Sequence, residues 1–442
     1  MTVQIFNQID NTPQFLQYQA ASLLVYQSVL SNEVGSAFLG LLKTIDKLQH
    51  SAEHDRKDYL YAYGRWFHAL AHAHQSWQDY LVEQIQRADN PFTQQAQKFD
   101  LEDLPSVLLD AAKHDLQALH RLYKFSGEHI EQWTQEVLPN SYKPIFWSQQ
   151  TSTPLDNFSL HTCESWPDAL AGLVAYYQRG GTGIFAEYQA LQWHDGKLIG
   201  VAYPDRVRIS DLVGCEVQRD LLVKNTEALL SGYPALHVLL YGSRGSGKSS
   251  LVKSLLTEYG SRGLRLVEVT KSELINLPII VDQLRQIPKK FILFVDDLSF
   301  EEDEDTYKAL KVVLEGNLIA RPQNVVVYAT SNRRHLIREF FGDRPQPGSS
   351  DEVHGWDTVQ EKLSLSDRFG LTLTFIPADQ KLYLQIVHYL AQQSGIPLES
   401  KDLEFRALQW AVQHNGRSGR TARQFVDFLQ AELALSQAKP SA

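Results

Sequence analysis

Cysteine is scarce in this chain. Cys163 and Cys215 are the only two among 442 residues, far apart and in no CxxC arrangement. That excludes a disulfide scaffold or a thiolate zinc site and leaves two free thiols in a reducing compartment. Long apolar runs are missing as well, since no stretch approaches the roughly eighteen residues that a membrane-spanning helix needs. The opening MTVQIFNQIDN has no basic segment followed by an apolar one. No secretory signal is read there, and a cytoplasmic location away from membranes is expected. Positive charge is not in excess: 42 Lys+Arg against 52 Asp+Glu leave a net charge of -10. This argues against a protein whose main business is coating DNA or an anionic membrane. Internal repeats and low-complexity tracts are absent too. What is present, 43% hydrophobic and 21% charged residues, is the balance of a globular protein. The length suits about two to four domains.

The first part, to Gln178, reads helical. Trp66, Leu70, Trp77, Leu81 and Ile85 recur as one face of a long helix. Similar faces come from Phe38, Leu41, Leu42, Ile45 and Leu48, and from Leu108, Leu109, Leu116, Leu119 and Leu122. Gly180-Gly181-Thr182-Gly183 breaks the last of these helices. Two apolar runs, 185–193 and 197–203, then flank Asp195-Gly196, a dipeptide suited to the positive φ of a tight hairpin. From Val207 the period changes again. Short apolar runs at His237–Tyr241, Leu264–Val269, Phe291–Val295, Val325–Tyr328 and Leu371–Phe375 alternate with helical segments. Alternation of this kind marks a parallel α/β sheet. After Pro377 the chain reads helical, with Leu382, Ile386 and Leu390 on one face.

The decisive motif is Gly242-Ser243-Arg244-Gly245-Ser246-Gly247-Lys248-Ser249, with Ser250 next. It fits the GxxxxGK[ST] phosphate loop in full and lies between an apolar strand and an amphipathic helix, as the chemistry requires. Glycines let the backbone wrap an anion, and backbone N–H groups at the helix start face it. Lys248 would supply charge to the β- and γ-phosphates of ATP, and Ser249 a hydroxyl to Mg²⁺. Downstream, the strand Phe291–Val295 ends in Asp296 and Asp297. Asp296 falls where such sites hold the magnesium, and Asp297 where an acid polarises the attacking water. Asn332, after the run Val325–Ser331, is placed to orient that water.

In this order, the motifs resemble the AAA+ ATPases. Ser366-Asp367-Arg368-Phe369-Gly370 stands where that family carries its arginine finger. The run Gly416–Arg423 stands where its helical lid carries a sensor arginine, and spacing favours Arg420 over Arg423. The segment from Val213-Gly214-Cys215-Glu216 to Gly232 resembles the one that lines the adenine pocket. More narrowly, FVDDLSFEE, TYKALKVVLEG, YATSNRRHL, EKLSLSDRFGL and GRSGRTARQFVDFL are similar to one bacterial AAA+ family of unknown function. The periodicities, with the resemblance for the C-terminal half and the hairpin before it, imply an α/β fold in four parts. A helical N-terminal domain would span 1–178 and a β-hairpin linker 179–206. An AAA+ core with a five-stranded parallel sheet would span 207–376, and a helical lid 377–442.

It also implies ATP and Mg²⁺ as cofactors and a homo-oligomeric ring, a hexamer in many relatives, with Arg368 reaching a neighbour's γ-phosphate. A remodelling or loading ATPase acting on a protein client is expected, with a slow assembly switch or a DNA-linked loader as alternatives. Other signals have bland readings. His68, His72 and His74 lack the glutamate of a HExxH site and read as a helix face. Glu301–Asp305 reads as the acidic start of a helix. Arg333, Arg334, His335 and Arg338 read as an exposed or inter-subunit cluster, and 342–356 as a surface loop. Lys271–Pro278 has neither the aromatic residue nor the glycine of a threading loop. Most AAA+ proteins have glutamate where Asp297 stands, so from the sequence Asp297→Glu is expected to keep or raise ATP turnover. Full-rate turnover in Asp297→Ala, measured by phosphate release, would remove this side chain from the chemistry.

Overall fold

The computed structural model describes residues 12–50, 56–137, 143–147, 158–299, 305–315, 322–332, 366–414 and 416–437. The chain divides into two compact units, Met1–Glu187 and Tyr188–Ala442.

The first unit is helical. Its described helices include α1 (Pro13–Ala21), α2 (Glu33–His50), α3 (Arg56–Ala73), α4 (Trp77–Arg87), α5 (Pro91–Ala96), α6 (Ser106–Tyr123), α7 (Gly127–Val137) and α8 (Leu170–Gly180). The face expected as one long helix is split between α3 and α4. His74 takes a left-handed φ of 53°, and Ser76 then caps α4, its Oγ accepting the Asp79 N–H. Periodicity carries across such a break because both helices bury the same stripe. Trp66, Trp77 and Phe38 meet in the core, with Phe38 and Trp77 ring centroids 4.0 Å apart.

One polar group organises the start of the unit. Asp115 on α6 is 0% exposed, and its carboxylate accepts N–H groups from Leu24 (2.9 Å), Val25 (2.8 Å) and Tyr26 (2.8 Å). A carboxylate buried this deeply is stable only because backbone donors replace its water. The turn after α1 is thereby pinned to α6.

In the second unit the described strands form one seven-stranded sheet. They are β1 (Ala190–His194), β2 (Lys197–Gly200), β3 (Val238–Gly242), β4 (Leu264–Glu268), β5 (Lys290–Val295), β6 (Val325–Ser331) and β7 (Leu371–Phe375). Their order is β2-β1-β4-β5-β6-β3-β7. Every pairing is parallel except β1 with β2. The sheet is two strands wider than expected because the hairpin is part of it and does not act as a separate linker. Its turn residues Asp195 and Gly196 have φ of 48° and 79°, as a tight hairpin turn demands. Strand β1 then pairs with β4 through Ala190–Leu266, Leu191–Val267 and Gln192–Glu268. That pairing covers what would be an exposed, apolar sheet edge. The residues before it, 184–187, form a short helical turn within the first unit.

Strands β5 and β6 are apolar throughout their buried middles because helices cover both faces of the sheet. Helix α9 (Glu216–Leu230) precedes β3, α10 (Lys248–Tyr259) joins β3 to β4, α11 (Leu277–Arg285) lies between β4 and β5, and α12 (Asp305–Glu315) lies between β5 and β6. Strand β3 lies between β6 and β7, while the strand next in sequence, β4, is three places away. The crevice at the carboxyl ends of β3, β5 and β6 is therefore a topological switch point, where sheets of this kind bind ligands. Helices α13 (Gln380–Gln393), α14 (Ser400–Gln413) and α15 (Gly419–Gln437) form the lid around its own small core, including Tyr383, Val387, Ala407 and Phe425. No helix among the described residues is long and apolar enough to cross a membrane.

Asp115→Ala leaves three backbone donors without their acceptor and should destabilise the helical unit by about 2 kcal/mol or more. Hydrogen exchange at Leu24, Val25 and Tyr26 should accelerate by a matching factor. Unchanged protection would show that the carboxylate does not hold this turn.

Candidate functional site

The phosphate loop follows β3 directly. Gly242 has φ of 147° and packs so closely on β7 that a Cβ there would lie 1.9 Å from the Phe375 carbonyl oxygen. Gly247, with φ of 90°, is the left-handed residue that opens α10. Only glycine meets both conditions without strain. Lys248 begins α10 and is 7% exposed. Its Nζ donates to the carbonyls of Gly242 (2.9 Å) and Ser243 (2.8 Å) and to Asn332 Oδ1 (3.4 Å). Burial pushes the ammonium pKa down, Asp296 and Asp297 pull it back up, and Arg420 lowers it further.

The two acids stand at the end of β5, beside the tip of β6. Asp296 Oδ1 receives Ser249 Oγ (2.7 Å), the Thr330 hydroxyl and the Asp297 N–H (3.2 Å). Asp297 Oδ1 accepts Asn332 Nδ2 at 2.6 Å. Lys248, Asn332 and Asp297 thus form a continuous hydrogen-bonded chain from the phosphate loop to the second acid. Thr330 was missed in the sequence, where it reads as one more residue of an apolar strand. It is 1% exposed, and a polar residue buried at a strand tip must have partners.

The lid closes the other side. The Gly419 N–H donates to the Gly245 carbonyl at 2.9 Å. A Cβ on Gly245 would lie 3.2 Å from that of Arg420. Arg420 is therefore set directly against the loop, and Arg423 lines the same cavity. That cavity has a volume of about 740 Å³ and is lined by Ser243 to Ser250, Asp296, Asp297, Thr330, Asn332 and Arg420. Arg206, Arg244, Arg417 and Arg423 add cations, an arrangement suited to a polyanion. Its apolar side comes from Leu212, Val213, Cys215, Leu382, Ile386 and Leu390, so the helix face noted after Pro377 is the wall of this pocket. Burial pushes the Cys215 thiol up to about 11, which keeps it protonated and inert near neutral pH.

The model of one protein family, described as "Protein of unknown function (DUF815)", matches residues 186–433. The chain belongs to this family. The match spans the sheet, the phosphate loop and the lid, and it begins two residues before the second compact unit. No curated protein matches the chain in sequence. Among solved structures, it is similar to the Thermotoga maritima RuvB Holliday junction branch migration motor. The two share 17% identity over 52% of this chain and 67% of that one, with a TM-score of 0.36. Two substituted forms of the same RuvB give TM-scores of 0.37, at 17% identity over 52% of this chain and 67% of theirs, and at 18% over 53% and 68%.

Of the site residues expected in this DUF815 family member, Gly242 stands just before the cavity wall, packed on β7, and Arg368 is not among the lining residues. Its Nε donates to the Glu315 carboxylate at the end of α12. The guanidinium is only 18% exposed, and its Nη1 is buried with no hydrogen-bond partner among the described residues. Arg333, Arg334, His335, Arg338, the loop 342–356 and Glu301 to Glu304 lie outside the described residues. Helix α12, expected after that acidic run, is present. His68 and His72 stack with ring centroids 6.5 Å apart. They belong to none of the metal-competent side-chain groups found among the described residues.

Gly242→Ala cannot keep both the backbone angle and the contact with Phe375. It should lower the stability of the sheet by roughly 1–3 kcal/mol, seen as a lower unfolding temperature. A wild-type melting curve for this variant would contradict the packing described.

Proposed function

We propose that this protein binds ATP with magnesium and hydrolyses it as an oligomer, coupling turnover to the remodelling or loading of a protein partner. The observation that carries the reading is the convergence of Lys248, Ser249, Asp296, Asp297, Asn332 and Arg420 on one cavity at the strand tips. Ser249 and Asp296 offer hard oxygen donors and fit a magnesium ion, which would supply positive charge to the β- and γ-phosphates. The loop N–H groups and Lys248 hold the phosphates, and the apolar wall with Cys215 and Leu382 receives the base.

Asp297, oriented by Asn332, holds the attacking water and takes its proton. The water oxygen bonds to the γ-phosphorus as the bond to the bridging oxygen breaks, and ADP and inorganic phosphate leave. Lys248 and Arg420 stabilise the charge that builds on the transferred group.

Arg368 lies away from the cavity of its own chain, and in a ring it would serve the site of the adjacent subunit. Doing so requires it to exchange Glu315 for a phosphate. This favours low turnover in the isolated chain, and hence an ATP-dependent assembly switch as the second reading.

ATP hydrolysis per subunit should rise with protein concentration and vanish in Lys248→Ala. In Arg368→Ala it should fall by about 10³-fold, the lower end for loss of an arginine finger. A rate independent of concentration would sink the shared-site reading. Tight ATP binding with near-zero turnover at every concentration would select the switch.

A further inference from the structure

We propose that Thr330 is the positioning residue for the acid pair, and that it makes aspartate rather than glutamate the working side chain at position 297. The inference rests on the ATPase reading above and deepens it.

The observation is the backbone of Asp297, whose φ is 52°. L-residues pay about 1–2 kcal/mol to sit in this left-handed region, and asparagine and aspartate tolerate it best because their short polar side chains bond locally. Such a conformation persists only where its surroundings hold it. Here they do. The Asp297 N–H is shared between Thr330 Oγ1 at 3.0 Å and Asp296 Oδ1 at 3.2 Å. The next N–H, of the fully buried Leu298, donates to the Thr330 carbonyl at 2.7 Å. The Asp297 carboxylate is held by Asn332.

Thr330 therefore touches both acids through one buried hydroxyl. Its proton goes to Asp296, and its lone pair takes the Asp297 N–H. It fixes the carboxylate assigned to the metal and the backbone that aims the carboxylate assigned to the water. Three donors already occupy Asp296 Oδ1, which leaves Oδ2 as the oxygen with free acceptor capacity for a metal ion.

A glutamate at 297 would meet this arrangement badly. It is disfavoured in the left-handed region, and its carboxylate would overshoot the Asn332 amide by one methylene. The shorter acid and the turned backbone are a matched pair. This reverses the expectation formed from the sequence, where glutamate looked at least as good.

Full-length wild type, Thr330→Ser, Thr330→Val and Asp297→Glu are compared by three readouts. These are kcat and KM for ATP, Mn²⁺ affinity of the ADP-bound protein, and hydrogen exchange at the Asp297 amide. Thr330→Val keeps the shape but loses both bonds. Its kcat and Mn²⁺ affinity should each fall by about 10–100-fold, the usual cost of losing such a supporting partner. ATP affinity should be unchanged and the Asp297 amide should exchange rapidly. Thr330→Ser should restore all of these. Asp297→Glu should lose kcat while still binding ATP.

Wild-type kcat and Mn²⁺ affinity in Thr330→Val, or turnover in Asp297→Glu equal to wild type, would overturn the proposal. If wild type itself shows no turnover above Lys248→Ala, the ATPase reading fails separately. Amide exchange then still decides for or against Thr330: fast in valine and slow in serine supports it, and equal rates overturn it.

Discussion

A buried ammonium is tolerated only among acceptors, and Lys248 is the group on which the second unit of this protein turns. Its acceptors come from two places: the carbonyls of Gly242 and Ser243 on its own loop, and the Asn332 side chain beyond β6. Satisfying them fixes the loop against the β6 tip, and Asn332 then fixes Asp297. The lid is tied into the same cluster through the Gly419 N–H on the Gly245 carbonyl. Loop, acids and lid are thus one hydrogen-bonded assembly. Anything that moves Lys248 has to move all three.

The helical unit follows the same physics with the opposite sign. Asp115 is buried against three backbone donors, and the turn at Leu24 to Tyr26 exists in that shape because those donors must go somewhere. In both units a single buried polar group is satisfied by hydrogen bonds that include partners distant in sequence, Asn332 for Lys248 and Leu24 to Tyr26 for Asp115. The ordinary apolar packing around it supplies bulk stability but little specificity. Arg368 is a third case, and a less complete one. Glu315 satisfies part of its guanidinium, while Nη1 is buried without a partner among the described residues.

Much of this was legible in the residues themselves. The phosphate loop is a local motif whose glycines and lysine work within eight positions, so Gly242 to Ser249 could be assigned on sight. The five buried strands and the lid helix with Leu382, Ile386 and Leu390 followed from period and polarity. The hairpin was visible through Asp195-Gly196, but its membership of the sheet was not, because pairing of β1 with β4 is a long-range event. The break between α3 and α4 was hidden by a stripe that runs through it. Thr330 and the left-handed Asp297 were invisible for a related reason. A backbone angle leaves no trace in composition, and a threonine in a strand of valines looks like β-propensity. The Arg368–Glu315 pair likewise depends on tertiary placement alone.

The most direct test of the account is equilibrium binding of ATP with Mg²⁺ to the full chain, by calorimetry, beside Lys248→Ala. One nucleotide per chain in the wild type, lost in the variant while its unfolding temperature is retained, is the predicted result. No binding to the wild type, or binding that survives the loss of Lys248 undiminished, would contradict the central claim that this buried lysine and its loop form a nucleotide site.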